Sequence, residues 1–269
     1  MFDKEEQKMI SRFFSQSWLW AKARFAGLGA LEFFAYRIGL SLMTLTLYVL
    51  IQQYVRGADV DLTQWVIGNA FALCLFECVS TMGTYFNAER FNGRLRSIIA
   101  APTSKITIII YAAFPSIAVS FATISGGFLV GGLLFGVNFA ALNVGMFAIA
   151  VITAAFACIG LGLLIAAFAL ISDSMYLITN TITALVMIFS GSNFPVAQLP
   201  EWAQFFANGF PLFRSIAAGN MAMRGSFTAE YARLVAGEAI LGAIYFAAAL
   251  TLVKIAERVA IKKATLEMF

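Results

Sequence analysis

Histidine is absent from this chain. That removes the commonest general base and metal-binding side chain. Zinc enzymes and Ser–His or Cys–His catalysts are thereby disfavoured. Charge is almost as scarce: 12% of residues are Asp, Glu, Lys or Arg, where a soluble domain has about 25%. Cysteine is limited to Cys74, Cys78 and Cys158. An odd number of thiols, all within apolar runs, suits small buried residues rather than a disulfide framework. Cys74 and Cys78, at i,i+4 spacing beside Glu77, raise a metal site, but a small-residue helix face is the simpler reading, and no metal is expected. No Gly-x-x-x-x-Gly-Lys-Ser/Thr phosphate loop occurs, and no polar stretch is long enough to hold an ATP-binding domain. The basic residues sit at the chain ends and in one loop, which is no nucleic-acid footprint. The opening charges, Asp3, Lys4, Glu5, Glu6 and Lys8, do not form a secretory signal.

What is present is apolar. The chain is 61% hydrophobic with 27 Phe, an excess that reads as an all-α integral membrane protein. A spanning helix needs about 20 mostly apolar residues. Six such spans are expected, at about 33–55, 65–86, 106–134, 142–171, 175–196 and 234–253. The segment Ile106–Ser172 carries no charge and is divided at Gly131–Asn143, "GGLLFGVNFAALN", by paired glycines and two asparagines. Basic residues test the count. With the amino terminus inside, only Arg56, Arg214, Arg224 and Arg233 of the 18 Lys and Arg fall outside. Six spans with both termini cytoplasmic satisfy this positive-inside bias; the expected location is a bacterial cytoplasmic (inner) membrane.

Two polar-rich segments flank or interrupt the six-span domain, residues 31–269. In residues 1–30, Ile10, Phe13, Phe14, Trp18 and Ala21 recur at helical spacing, with Lys8, Arg12 and Gln16 elsewhere on the wheel. An amphipathic helix along the inner interface, in contact with lipid, is expected. The outer stretch Phe189–Arg233 is too apolar for a solvated loop. Pro200 can start a helix and Gly209 can end it, with Trp202, Phe205 and Phe206 on one face. Such a segment is expected to dip back into the outer leaflet.

The cytoplasmic stretch Phe86–Ser104, "FNAERFNGRLRSIIAAPTS", is the most distinctive. Phe91, Leu95, Ile98 and Ile99 fall near one helix face, Glu89, Arg90, Arg94 and Arg96 mostly off it, and Pro102 ends the pattern. It resembles the coupling helix of type-2 ATP-binding-cassette (ABC) exporter permeases: an acidic–basic pair (Glu89–Arg90), Gly-x-Leu (Gly93–Leu95), an aliphatic pair (Ile98–Ile99) and a Pro stop. The outer Ser190–Phe213 is similar to the re-entrant helices of that family through Phe194–Pro195, Leu199–Pro200, Trp202 and Asn208–Pro211. Many relatives carry a second acidic residue where Arg96 stands. The reversed charge implies an acidic patch on the partner groove, or pairing with a different permease subunit.

The resemblance implies a transport subunit rather than an enzyme. A separate ABC ATPase, two copies per transporter, would bind ATP and Mg; this chain would hold no cofactor. A second permease chain, identical or homologous, is implied. Phe91, Leu95 and Ile98 would be the docking knuckle, with Glu89, Arg90, Arg94 and Arg96 as its charged rim. Phe-rich spans favour a hydrophobic or amphipathic substrate such as a drug, a lipid-like molecule or a small peptide. Intramembrane carboxyl groups are functional candidates by default. Glu77, with Thr81 and Thr84 on its stripe, and Glu238 are therefore candidates for the translocation path or a helix seam. The rival reading is a proton-coupled secondary transporter using the same two carboxyls, although the two halves show no repeat.

Overall fold

The computed structural model describes residues 2–25, 29, 32, 34–57, 60–91, 93, 105–169, 175–225 and 227–263. Every regular element among them is helical. Helix α1 is Phe2–Phe25. A π-helical turn, Phe34–Gly39, runs directly into α2, Leu40–Arg56. There follow α3 (Thr63–Gly83), α4 (Tyr85–Phe91), α5 (Lys105–Phe135), α6 (Val144–Ala169) and α7 (Met175–Phe189). The outer segment holds a 3-10 turn at Val196–Gln198, α8 (Glu201–Ala207) and α9 (Phe213–Met223). Helix α10, Ala229–Lys263, closes the described chain.

Four of these are long and apolar enough to cross a bilayer: α3, Ile110–Phe135 of α5, Val144–Phe168 of α6 and Ala229–Ile255 of α10. Helices α2 and α7 are apolar but shorter. The expected range 33–55 overlaps the π-helical turn and α2, and the ranges 65–86, 106–134 and 142–171 overlap α3, α5 and α6. Helix α7 stops at Phe189, seven residues before the expected limit at Val196. Ser192 Oγ donates to the Met187 carbonyl at 3.3 Å, and Gly191 takes φ +80°. Together they cap the helix and turn the chain.

The turn between α5 and α6 lies within the glycine- and asparagine-bearing stretch Gly131–Asn143. Gly131 and Gly132 remain inside α5, and the chain breaks at Gly136, φ +65°. Gly131 is used for packing instead: a Cβ there would come within 2.5 Å of the Val66 side chain on α3. Asn143 Oδ1 then accepts the Met146 amide at 3.1 Å, an N-cap that starts α6.

Helix α3 is the central post. Its most apolar window is 89% buried, against 17% for α10. Phe71, Ile67, Leu75 and Met82 are fully enclosed by α2, α5, α6, α7 and α9. Helix α6 is the second post and packs most extensively on α10. With lipid as apolar as Leu, such helices associate through close backbone contact at small residues rather than through hydrophobic exclusion. Helix α1 lies against α5, where Phe13 meets Tyr111 and Phe114 at ring distances of 5.4 and 5.2 Å. Ser17 faces inward, while Phe14, Trp18 and Leu19 remain exposed. The apolar face foreseen for this helix is thus split between a bundle-facing Phe13 and an open Phe14–Trp18 edge.

Candidate functional site

Two regions hold the side chains that the sequence singles out. The first is α3 and its C-terminal end. Thr84 interrupts the helix, with its hydroxyl on the Ser80 carbonyl at 2.7 Å. Helix α4 restarts at once, and the Ala88 amide donates to the Thr84 carbonyl at 2.9 Å. Phe91, the last residue of α4, is 94% exposed. Gly93 lies in the left-handed region at φ +68° with open space around it, the usual way to leave a helix. Glu89 is buried. Arg94, Leu95, Arg96 and Ile98 lie outside the described residues, as does the side chain of Arg90.

Glu77 is enclosed in the middle of α3 and accepts a hydrogen bond from Thr81 Oγ1 at 3.2 Å. Thr84 takes no part in that pair. The neighbouring thiols are buried and free. Cys78 Sγ lies 3.3 Å from Ser120 Oγ on α5 and 3.9 Å from Cys74 Sγ. Among the described residues no group of three His, Cys, Asp or Glu is placed to hold a metal ion.

The second region is the segment between α7 and α10. Pro195 opens the 3-10 turn, accepting the Gln198 amide at 3.0 Å, and Pro200 caps α8, accepting the Ala203 amide at 2.9 Å. Trp202, Phe205 and Phe206 share the exposed face of α8, while Ala203 and Ala207 are buried. Phe194 is half-buried and Pro211 buried. The descent is pinned on several sides. Trp65 Nε1 donates to the Asn193 carbonyl at 3.1 Å, and Gly68 lets the Ser192 backbone touch α3. The rings of Phe189 and Phe210 stack at 5.1 Å, and the Tyr245 hydroxyl donates to the Gly209 carbonyl.

Leu212 joins this segment to α10. Its amide donates to Glu238 Oε1 at 2.7 Å, and Glu238 is fully buried. Glu238 lies about 14 Å along α10 from its first residue, at 1.5 Å per residue. From there α9 returns to the level of the α5–α6 turn, where the Asn143 amide donates to the Ala222 carbonyl at 2.9 Å. Glu238 thereby places a carboxylate at the amino end of α9, the favourable end of the helix dipole. Arg214 runs beside it, with Gly237 making the room: a Cβ at that position would lie 2.9 Å from Arg214 Cδ. Glu77 accepts from Thr81, one turn further along the same helix, whereas Glu238 accepts from Leu212, 26 positions away. Sequence reasoning placed Glu238 near Gly237 but missed Leu212, Arg214 and Tyr245, which no local pattern connects to it.

Residues 13–223 match the model of the ABC-2 type transporter family. The chain belongs to that family. No curated protein matches it. The family match begins inside α1 and ends at Met223, the last residue of α9. It therefore includes the α3–α4 elbow and helices α8 and α9. Helix α10 and Glu238 stand beyond it, so the Leu212–Glu238 bond ties the matched part of this ABC-2 permease to its last helix.

Proposed function

We propose that this ABC-2 permease is the membrane subunit of an exporter, driven by a separate ATPase that binds ATP and Mg. The observation that carries the reading is Phe91: an aromatic ring with 94% of its surface exposed, at the tip of a short helix that continues the most buried helix of the bundle. Exposed aromatics in such positions mark partner contacts. Two ATPase copies would dock at Phe86–Pro102 of two permease chains. Phe91, Leu95 and Ile98 would fill the groove, with Arg90, Arg94 and Arg96 around them. Closure of the ATPase dimer would push on α4 and so on α3, which touches most of the bundle.

In this reading α2 and α7 complete six spans, both termini are cytoplasmic, and α1 rests on the inner leaflet with Phe14, Trp18 and Leu19 toward lipid. The α8–α9 hairpin is the outer re-entrant element. It follows α7 and presents Trp202, Phe205 and Phe206 to the outer leaflet. The substrate is hydrophobic or amphipathic, because the interior offers Phe, Ala and Thr rather than charge, and it moves outward. Leu95→Asp tests the assignment: it should abolish ATP-dependent transport and release the ATPase while membrane insertion is unchanged. Transport that survives this change overturns the coupling role.

A further inference from the structure

Leu212 is the only non-glycine residue among those described with positive φ, at φ 76° and ψ −28°. These angles are close to the third position of a type II turn, which favours glycine, and Pro211 precedes it where proline is favoured. A fully buried Leu therefore holds a backbone shape that costs free energy. Its carbonyl accepts the Ile216 amide at 2.7 Å as α9 begins, and its amide is tied to α10 through Glu238 Oε1. Around that bond three buried polar atoms make no hydrogen bond, namely Glu238 Oε2, Arg214 Nη1 and Ser215 Oγ. Arg214 and Ser215 nonetheless stand close enough to act on the carboxylate. Buried polar groups are normally paired. A strained residue and unfilled donors beside an unfilled acceptor are both relieved by the same movement. The tip of the hairpin shifts, Leu212 relaxes, and Glu238 pairs with Arg214 and Ser215.

We propose that the Leu212–Glu238 contact is a latch that holds the inner tip of the α8–α9 hairpin against α10 and releases it during the transport cycle. Glu238 is then a positioning residue, acting through Leu212, and not a lining residue of the path. The position of the tip fits this role. Phe210 stacks on Phe189 at the end of α7 and Gly209 is held by Tyr245 of α10, so the tip closes the gap between those two helices. Release would open the outer half of the bundle. The inference rests on the reading of the chain as an ATP-driven permease.

The test is hydrogen–deuterium exchange on the permease–ATPase complex in lipid nanodiscs, following peptides across Asn208–Ser215, nucleotide-free and vanadate-trapped. The latch predicts exchange about tenfold faster in the trapped state, a coupling of ordinary allosteric size. Glu238→Ala should give the fast rate without nucleotide, while Glu238→Gln, which keeps the accepting oxygen, should resemble the parent. Leu212→Gly, which removes the strain, should exchange slowly in both states and transport poorly. A purely structural Glu238 would leave exchange independent of nucleotide. If the parent complex transports with ATP but exchange at Asn208–Ser215 is the same in both states, the latch is overturned and the permease reading stands. If the parent complex shows no ATP-dependent transport, both fail.

Discussion

Gly160 of α6 and Gly242 of α10 bring two helix backbones into contact: a Cβ on Gly160 would lie 3.0 Å from the Gly242 carbonyl oxygen. A Cβ on Gly242 would in turn lie 2.6 Å from the Phe156 ring. This is the crossing that holds the largely exposed α10 to the bundle. Gly160→Leu should lower stability by about 2 kcal/mol or more, since overpacking forces both helices apart. The check is a thermal melt of detergent-purified protein monitored by gel filtration. An unchanged melt would mean that α10 is not held at this crossing.

Tyr231 bridges the outer ends of the same two helices, its hydroxyl donating to the Met146 carbonyl at 2.6 Å. Tyr231→Phe leaves that buried carbonyl without its donor and should cost about 1 kcal/mol. The same melt reads it, and the loss should add to that of Gly160→Leu, because the sites are separate.

Phe91 and Phe71 separate docking from packing. Phe91 is almost wholly exposed, whereas Phe71 is fully buried and its ring fills the space that Gly219 leaves on α9. Phe91→Asp should leave insertion and melting temperature unchanged but abolish ATPase-dependent transport. Phe71→Ala should lower the melting temperature sharply, a cavity cost of about 3 kcal/mol. Transport by Phe91→Asp at the parental rate would remove Phe91 from the partner contact.

Asp61 governs a small pH effect at the outer end of α3. Its Oδ1 accepts Thr63 Oγ1 at 2.5 Å and the Thr63 amide at 2.9 Å. These bonds, hydroxyl first, hold the carboxyl below the usual carboxylate range. A depressed folded value means that the stabilisation is present above the unfolded value of about 3.9 and is lost as pH falls through the folded one. The parent should therefore lose melting temperature below about pH 4, and Asp61→Asn should lose less over the same window. Equal slopes for the two proteins would contradict this.

Much of the helical layout was legible because charge is excluded from the bilayer. The runs 106–134 and 142–171 announced α5 and α6, and Pro200 and Gly209 bracketed α8. What was not legible depended on contacts distant in sequence. Gly131–Gly132 looked like a turn and is a packing face, because glycine serves both purposes and only the position of Val66 decides. Glu238 was noticed as an unusual charge, yet its role was hidden. Leu212 carries no local signal for positive φ, and the two residues are 26 positions apart.

The most direct measurement is purification of the tagged chain from its native host membranes in mild detergent, with ATP hydrolysis and subunit stoichiometry assayed in the eluate. The account predicts an equimolar ATPase, two copies with two permease chains, that is lost with Leu95→Asp. An eluate without ATPase, or one whose ATPase persists with Leu95→Asp, would contradict it.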